Sequence, residues 1–103
     1  IRRIPVGINQ ISSVIPEQFN LYNNYPNPFN PSTVIRFDIS KSQFVKLSVF
    51  NMLGEEVSNL VNENLTPGSY SVDFNASYLS SGMYFYRIET PGFVQTKRMV
   101  LVK

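Results

Sequence analysis

Side chains able to titrate, attack or ligate are scarce in this chain. It has no His and no Cys, which removes thiol nucleophiles, disulfides and the usual ligands of zinc, haem and iron–sulfur clusters. The seven carboxylates are scattered, and the one adjacent pair, Glu55-Glu56, falls at a predicted turn where sequence neighbours point apart. General acid–base work needs a group titrating near neutral pH or carboxylates converging on a cleft. Neither is in view. No Gly-x-Ser-x-Gly elbow and no Gly-rich phosphate loop occurs. The expectation is a chain without catalytic residues and without a cofactor; Asp, Glu and backbone oxygens leave only calcium open.

Other residues suit recognition. Pro26-Asn27-Pro28-Phe29-Asn30-Pro31 packs three prolines into six positions. Each Pro fixes its own φ and pushes the preceding residue to extended geometry, and Asn side chains bond turn backbone. A stiff, non-sheet bend is predicted, one that stops edge-strand pairing and displays the Phe29 ring. The second group is Lys97-Arg98, followed by Met99-Val100-Leu101-Val102 and Lys103. Alternation sets Met99 and Leu101 on one face and Val100 and Val102 on the other. Such an end is covered on both sides, or it offers an apolar face to a partner. Docked as a strand, it would use Lys97, Arg98 and Lys103 to select charge. Tyr84, Phe85 and Tyr86 alternate too, which sends the tyrosines inward and Phe85 outward. A carbohydrate-binding reading would use an exposed Phe29, Phe50 or Phe85 as its platform.

These residues need a scaffold, and the composition supplies one. A length of 103 residues allows one domain with a modest core, and a 43% hydrophobic fraction argues against disorder. The formal charge is only +2 with the basic residues spread out, so no nucleic-acid partner is expected. No run of about 18 apolar residues is present to cross a membrane as a helix. No signal peptide opens the chain, and its start at Ile1-Arg2-Arg3 reads as a piece of a longer polypeptide.

Short alternating runs recur at intervals of about ten residues, the all-β pattern. They are 19–25, 33–39, 45–50, 56–61, 69–75, 82–90 and 93–102. Ile35, Phe37 and Ile39 share one face, as do Val45, Leu47 and Val49, and Tyr70, Val72 and Phe74. Gly54, Pro67-Gly68 and Pro91-Gly92 mark turns. The expected fold is an immunoglobulin-like antiparallel β-sandwich of about seven strands. Leu79-Ser80-Ser81-Gly82-Met83-Tyr84 has the spacing of a tyrosine corner. Residues 1–18 read as a linker with an edge strand near 11–15, and residues 19–103 as the domain.

Five blocks carry a family resemblance. They are Tyr25-Pro-Asn-Pro-Phe-Asn-Pro-Ser-Thr33, Val49-Phe-Asn-Met-Leu-Gly-Glu-Glu-Val57, Pro67-Gly68-x-Tyr70, Leu79-Ser-Ser-Gly-Met-Tyr-Phe-Tyr86 and Lys97-Arg-Met-Val-Leu-Val-Lys103. In this order they resemble the C-terminal sorting domain of the bacterial type IX secretion system. Arg98 stands where many such domains carry a second Lys. The resemblance implies a non-catalytic signal that sends a larger N-terminal cargo across the periplasm and outer membrane to the cell surface or beyond. Its implied partners are the translocon and a sortase-type machinery that cuts within residues 1–20 and attaches the cargo to surface lipopolysaccharide. A homodimer through the last strand is a further expectation. The implied recognition residues are Pro26, Asn27, Pro28, Phe29, Asn30, Pro31, Gly68, Tyr70, Gly82, Tyr84, Lys97, Arg98, Met99, Val100, Leu101, Val102 and Lys103. Two alternatives compete: a carbohydrate-binding or adhesive module of a secreted hydrolase, and a flagellar hook-capping-type domain.

Overall fold

The computed structural model describes residues 8–103, so the first seven residues of the expected linker lie outside the described residues. Among the described residues eight strands form: β1 (Ile8–Ser12), β2 (Asn20–Leu21), β3 (Ser32–Ile39), β4 (Gln43–Phe50), β5 (Glu56–Leu65), β6 (Gly68–Asn75), β7 (Gly82–Thr90) and β8 (Phe93–Leu101). They build two four-stranded antiparallel sheets, ordered β1-β6-β3-β2 and β5-β4-β7-β8. The sandwich expected from alternation is present, with eight strands in place of seven.

The extra strand is β1, which pairs with β6 from Ile8↔Val72 to Ser12↔Ser69. It lies earlier than the predicted 11–15 because Ile8, and not Ile11 or Ile15, is the residue that buries. The expected strand 19–25 shrinks to Asn20–Leu21 plus one bridge between Tyr25 and Val34. The expected strand 56–61 runs on to Leu65, because Val61 and Leu65 both reach the core.

Inward parity fixes the core. Ile35, Phe37, Ile39, Val45, Leu47, Val49, Tyr70, Val72, Phe74, Tyr84, Tyr86 and Ile88 all bury between the sheets. Each fully buried Leu, Ile or Phe contributes about 1.5–3 kcal/mol relative to exposure. The β4–β5 turn closes as predicted: Gly54 has φ 84°, and the Asn51 side-chain oxygen accepts from Leu53 and Glu55 N–H at 2.9 and 3.0 Å.

Candidate functional site

The bend predicted to stand apart from the sheets is clipped onto the last strand. Phe29 N–H donates to the Val100 carbonyl and Val102 N–H to the Phe29 carbonyl, both at 2.9 Å. Val100 N–H donates to the side-chain oxygen of Asn27 at 3.0 Å. Phe29 therefore bridges to Leu101 as a one-residue parallel strand along the outer edge of β8. The expected display of its ring is corrected: Phe29 is 2% exposed and packs 6.2 Å from Phe74 between the sheets. The backbone bonds on either side of Phe29 leave its side chain only the core to enter. The bend seals part of an edge by pairing with it, where the expectation had it merely preventing pairing.

A buried polar network sets the bend's position. Tyr86 donates to the Tyr22 carbonyl at 2.8 Å and accepts Asn24 N–H at 2.9 Å. The Asn24 amide donates to Thr33 Oγ1 at 3.0 Å and to the Pro26 carbonyl at 3.2 Å, while Thr33 Oγ1 donates to that same carbonyl at 2.9 Å. Burial pushes the Tyr86 hydroxyl up to about 12, so it stays a protonated donor at ordinary pH. The three X-Pro bonds, at Pro26, Pro28 and Pro31, are cis. Asn24, Thr33 and Tyr86 were not among the predicted site residues. A signal existed for two of them: Thr33 and Tyr86 share inward parity with Ile35 and Tyr84, and a buried hydroxyl must find a partner.

The end of the chain is tied to the same region. Lys103 Nζ donates to the carbonyls of Ser77 and Leu79 at 2.7 and 2.8 Å, and Lys103 N–H donates to Ser81 Oγ at 3.0 Å. Tyr84 makes the expected corner, donating to the Ser80 carbonyl at 2.7 Å, and Gly82 pairs with Leu101. Met99 and Leu101 are buried, Val100 is half-buried, and Val102 is 50% exposed. The site thus gathers Pro26–Pro31, Gly82, Tyr84 and Met99–Lys103 at one end of the sandwich.

Gly68 and Tyr70 lie at the other end, where Gly68 pairs with Ile39. Tyr70 donates to the Thr66 carbonyl at 2.6 Å and stacks on Phe37, centroids 5.5 Å apart. Lys97 and Arg98 sit midway along β8, beside an open groove of about 680 Å³. Asn23, Asn24, Tyr25 and Asn27 form one wall of that groove, and Phe85, Thr96, Lys97 and Arg98 the other.

The adjacent carboxylates Glu55 and Glu56 have structural partners. The Glu55 carboxylate accepts from the Asn51 amide at 2.8 Å, and Glu56 lies 3.8 Å from Lys46. Among the described residues no three His, Cys, Asp or Glu side chains cluster as metal ligands. The aromatic platform is interrupted, since Phe29 is buried and the Arg87 guanidinium lies over Phe50 at 4.4 Å.

Comparison with known proteins bears on this arrangement. A family profile described as a secretion system C-terminal sorting domain matches residues 23–103. None of the curated proteins matches the chain in sequence. Among solved structures the chain is similar to PorZ, described as an essential bacterial surface component of the type IX secretion system of Porphyromonas gingivalis, from the human oral microbiome. The TM-score is 0.58 at 19% identity, over 81% of this chain and 11% of PorZ. The chain spans that small share of PorZ's length, and the likeness bears on the fold alone. Matched from the bend to the anchored last residue, the chain belongs to the family of secretion-system C-terminal sorting domains and is a type IX sorting signal for the cell surface or extracellular space.

Proposed function

We propose that the domain sorts without chemistry of its own, by presenting a folded edge to the secretion machinery while an N-terminal cargo follows. The clip between the bend and β8 is the observation that supports it. Three hydrogen bonds join Asn27 and Phe29 to Val100 and Val102, so the terminal segment has its shape only when the whole sandwich has folded. The recognised face is the exposed part of Pro26–Pro31, Gly82 and Lys97–Lys103, shaped from beneath by the buried Phe29, Tyr84, Met99 and Leu101. Gly68 and Tyr70 serve that face from a distance, by holding the opposite end together.

In this reading the cargo crosses the periplasm, the translocon moves it through the outer membrane, and a sortase-type machinery cuts within residues 1–20. Residues 1–18 are the linker and 19–103 the sorting domain, with β1 the part of the linker that pairs to the domain. Residues 13–19 are exposed for the most part, including Val14 and Ile15, which suits access by a protease. An antiparallel pairing of two copies centred on Lys97 and Arg98 would bring like charges together, which disfavours a homodimer in that register.

The experiment is a fusion of residues 1–103 to a soluble passenger in a type IX-competent bacterium, with mass spectrometry of surface and medium fractions. Passenger trimmed within residues 1–20 and carrying a lipopolysaccharide mass is the expected result. Intact fusion retained in the periplasm would overturn the reading.

A further inference from the structure

The outer edge of β8 is closed at one end and open at the other. Val100 and Val102 turn their backbone groups away from β7, since they bond Asn27 and Phe29. The β7–β8 register runs without a bulge from Gly82↔Leu101 to Thr90↔Phe93. The period of two then turns the N–H and C=O groups of Arg98, Thr96 and Val94 outward as well. Among the described residues these groups have no hydrogen-bond partner. The open stretch is on the order of 13–17 Å long, at about 3.3 Å per residue.

Three features beside this stretch describe what it would accept. Unpaired strand edges template the addition of another strand. The groove borders the Thr96–Arg98 part of the open stretch and lies between it and the Asn23–Asn27 segment. Within the groove wall Asn24 is 3% exposed, and its side-chain oxygen has no donor among the described residues. The charge is one-sided: Lys97 and Arg98 take part in neither ion pair of the described residues, which are Lys46–Glu56 and Arg87–Glu89.

From these features we infer that Val94–Arg98, and not the apolar tip, takes up an extended acidic strand with neighbouring carboxylates opposite Lys97 and Arg98. Adjacent residues of a strand point to opposite faces, so two consecutive carboxylates each meet one cation. The inference rests on the sorting reading, in which that strand belongs to the secretion machinery.

The test titrates the isotope-labelled 103-residue chain with the peptide Thr-Val-Asp-Glu-Val-Thr and with its neutral counterpart Thr-Val-Asn-Gln-Val-Thr. Amide shifts and hydrogen exchange are read residue by residue. The acidic peptide should slow exchange at Thr96 and Arg98 and leave Val100 and Val102 as they were. Combined Lys97→Glu and Arg98→Glu should weaken binding at least tenfold. Thr96→Pro removes an outward N–H that the β7–β8 ladder does not use, and it should abolish binding with the fold intact. Equal uptake of the neutral peptide, protection at Val100 and Val102, self-association in place of uptake, or no binding would each overturn the inference. A chain that ignores the peptide yet exports a passenger defeats this inference alone; one that binds it yet exports nothing defeats the sorting reading alone.

Discussion

The two sheets each contain a Gly-x-Tyr corner, and the two corners have different uses. Gly68-Ser69-Tyr70 opens β6 and Gly82-Met83-Tyr84 opens β7. In both, the Tyr hydroxyl donates to the carbonyl four residues back, at 2.6 Å to Thr66 and 2.7 Å to Ser80. Both glycines have positive φ, 153° and 156°. Their surroundings separate them. A Cβ on Gly68 would stand 2.7 Å from the Ser12 carbonyl oxygen in β1, while a Cβ on Gly82 would meet nothing within 4 Å. Gly68 is thus enclosed by the fold, and Gly82 stands open beside Leu101 and the anchor of Lys103. The local motif makes the corner, and the neighbours decide whether it serves packing or a surface.

The largest expected effect is at the surface end. Phe29→Ala empties a core position and removes the ring that seats the bend, at a cost of about 3–5 kcal/mol in denaturant unfolding. A cost under about 1 kcal/mol would mean that the bend is not part of the core. The glycine pair sharpens the contrast. Gly68→Ala adds a backbone clash to backbone strain and should cost about 2–3 kcal/mol, against about 1 kcal/mol for Gly82→Ala. Equal costs in paired thermal melts would erase the distinction between the ends.

The smallest effect is electrostatic. The Tyr86 pKa is raised by burial from 10 to about 12. Below pH 10 the hydroxyl is protonated in both folded and unfolded chains. Between pH 10 and 12 the unfolded chain loses the proton first, so stability falls as pH rises through that window. Tyr22 shifts in the same direction, chiefly through its hydrogen bond to Asp38. Tyr86→Phe should therefore flatten the alkaline slope in part, as read from unfolding midpoints at pH 9 and 11. An unchanged slope would contradict the buried role of Tyr86.

The sandwich was legible wherever one strand face had to be buried. Ile35, Phe37 and Ile39, or Tyr70, Val72 and Phe74, announce their side by parity, and the structure buries them all. The bend was legible as stiff, but the direction of Phe29 was not. No periodicity runs through the Pro/Asn stretch, and the bonds that turn the ring inward come from Val100 and Val102 at the far end of the chain. Asn24 was hidden for the same reason, since its partners Tyr86 and Thr33 belong to different sheets. Lys103 read as a charge offered to a partner, yet it holds the carbonyls of Ser77 and Leu79, an arrangement that depends on where the β6–β7 loop comes to lie.

Export of a passenger fusion measures the difference between the ends most directly. Lys97→Glu with Arg98→Glu alters the open edge of β8 that leads to the surface end, and Tyr70→Phe alters the packed end at a cost of about 1 kcal/mol. With both variants folded, the account predicts that the charge reversal retains the passenger inside the cell while Tyr70→Phe exports it normally. Normal export of the charge-reversed fusion, or equal loss from both variants, would contradict it.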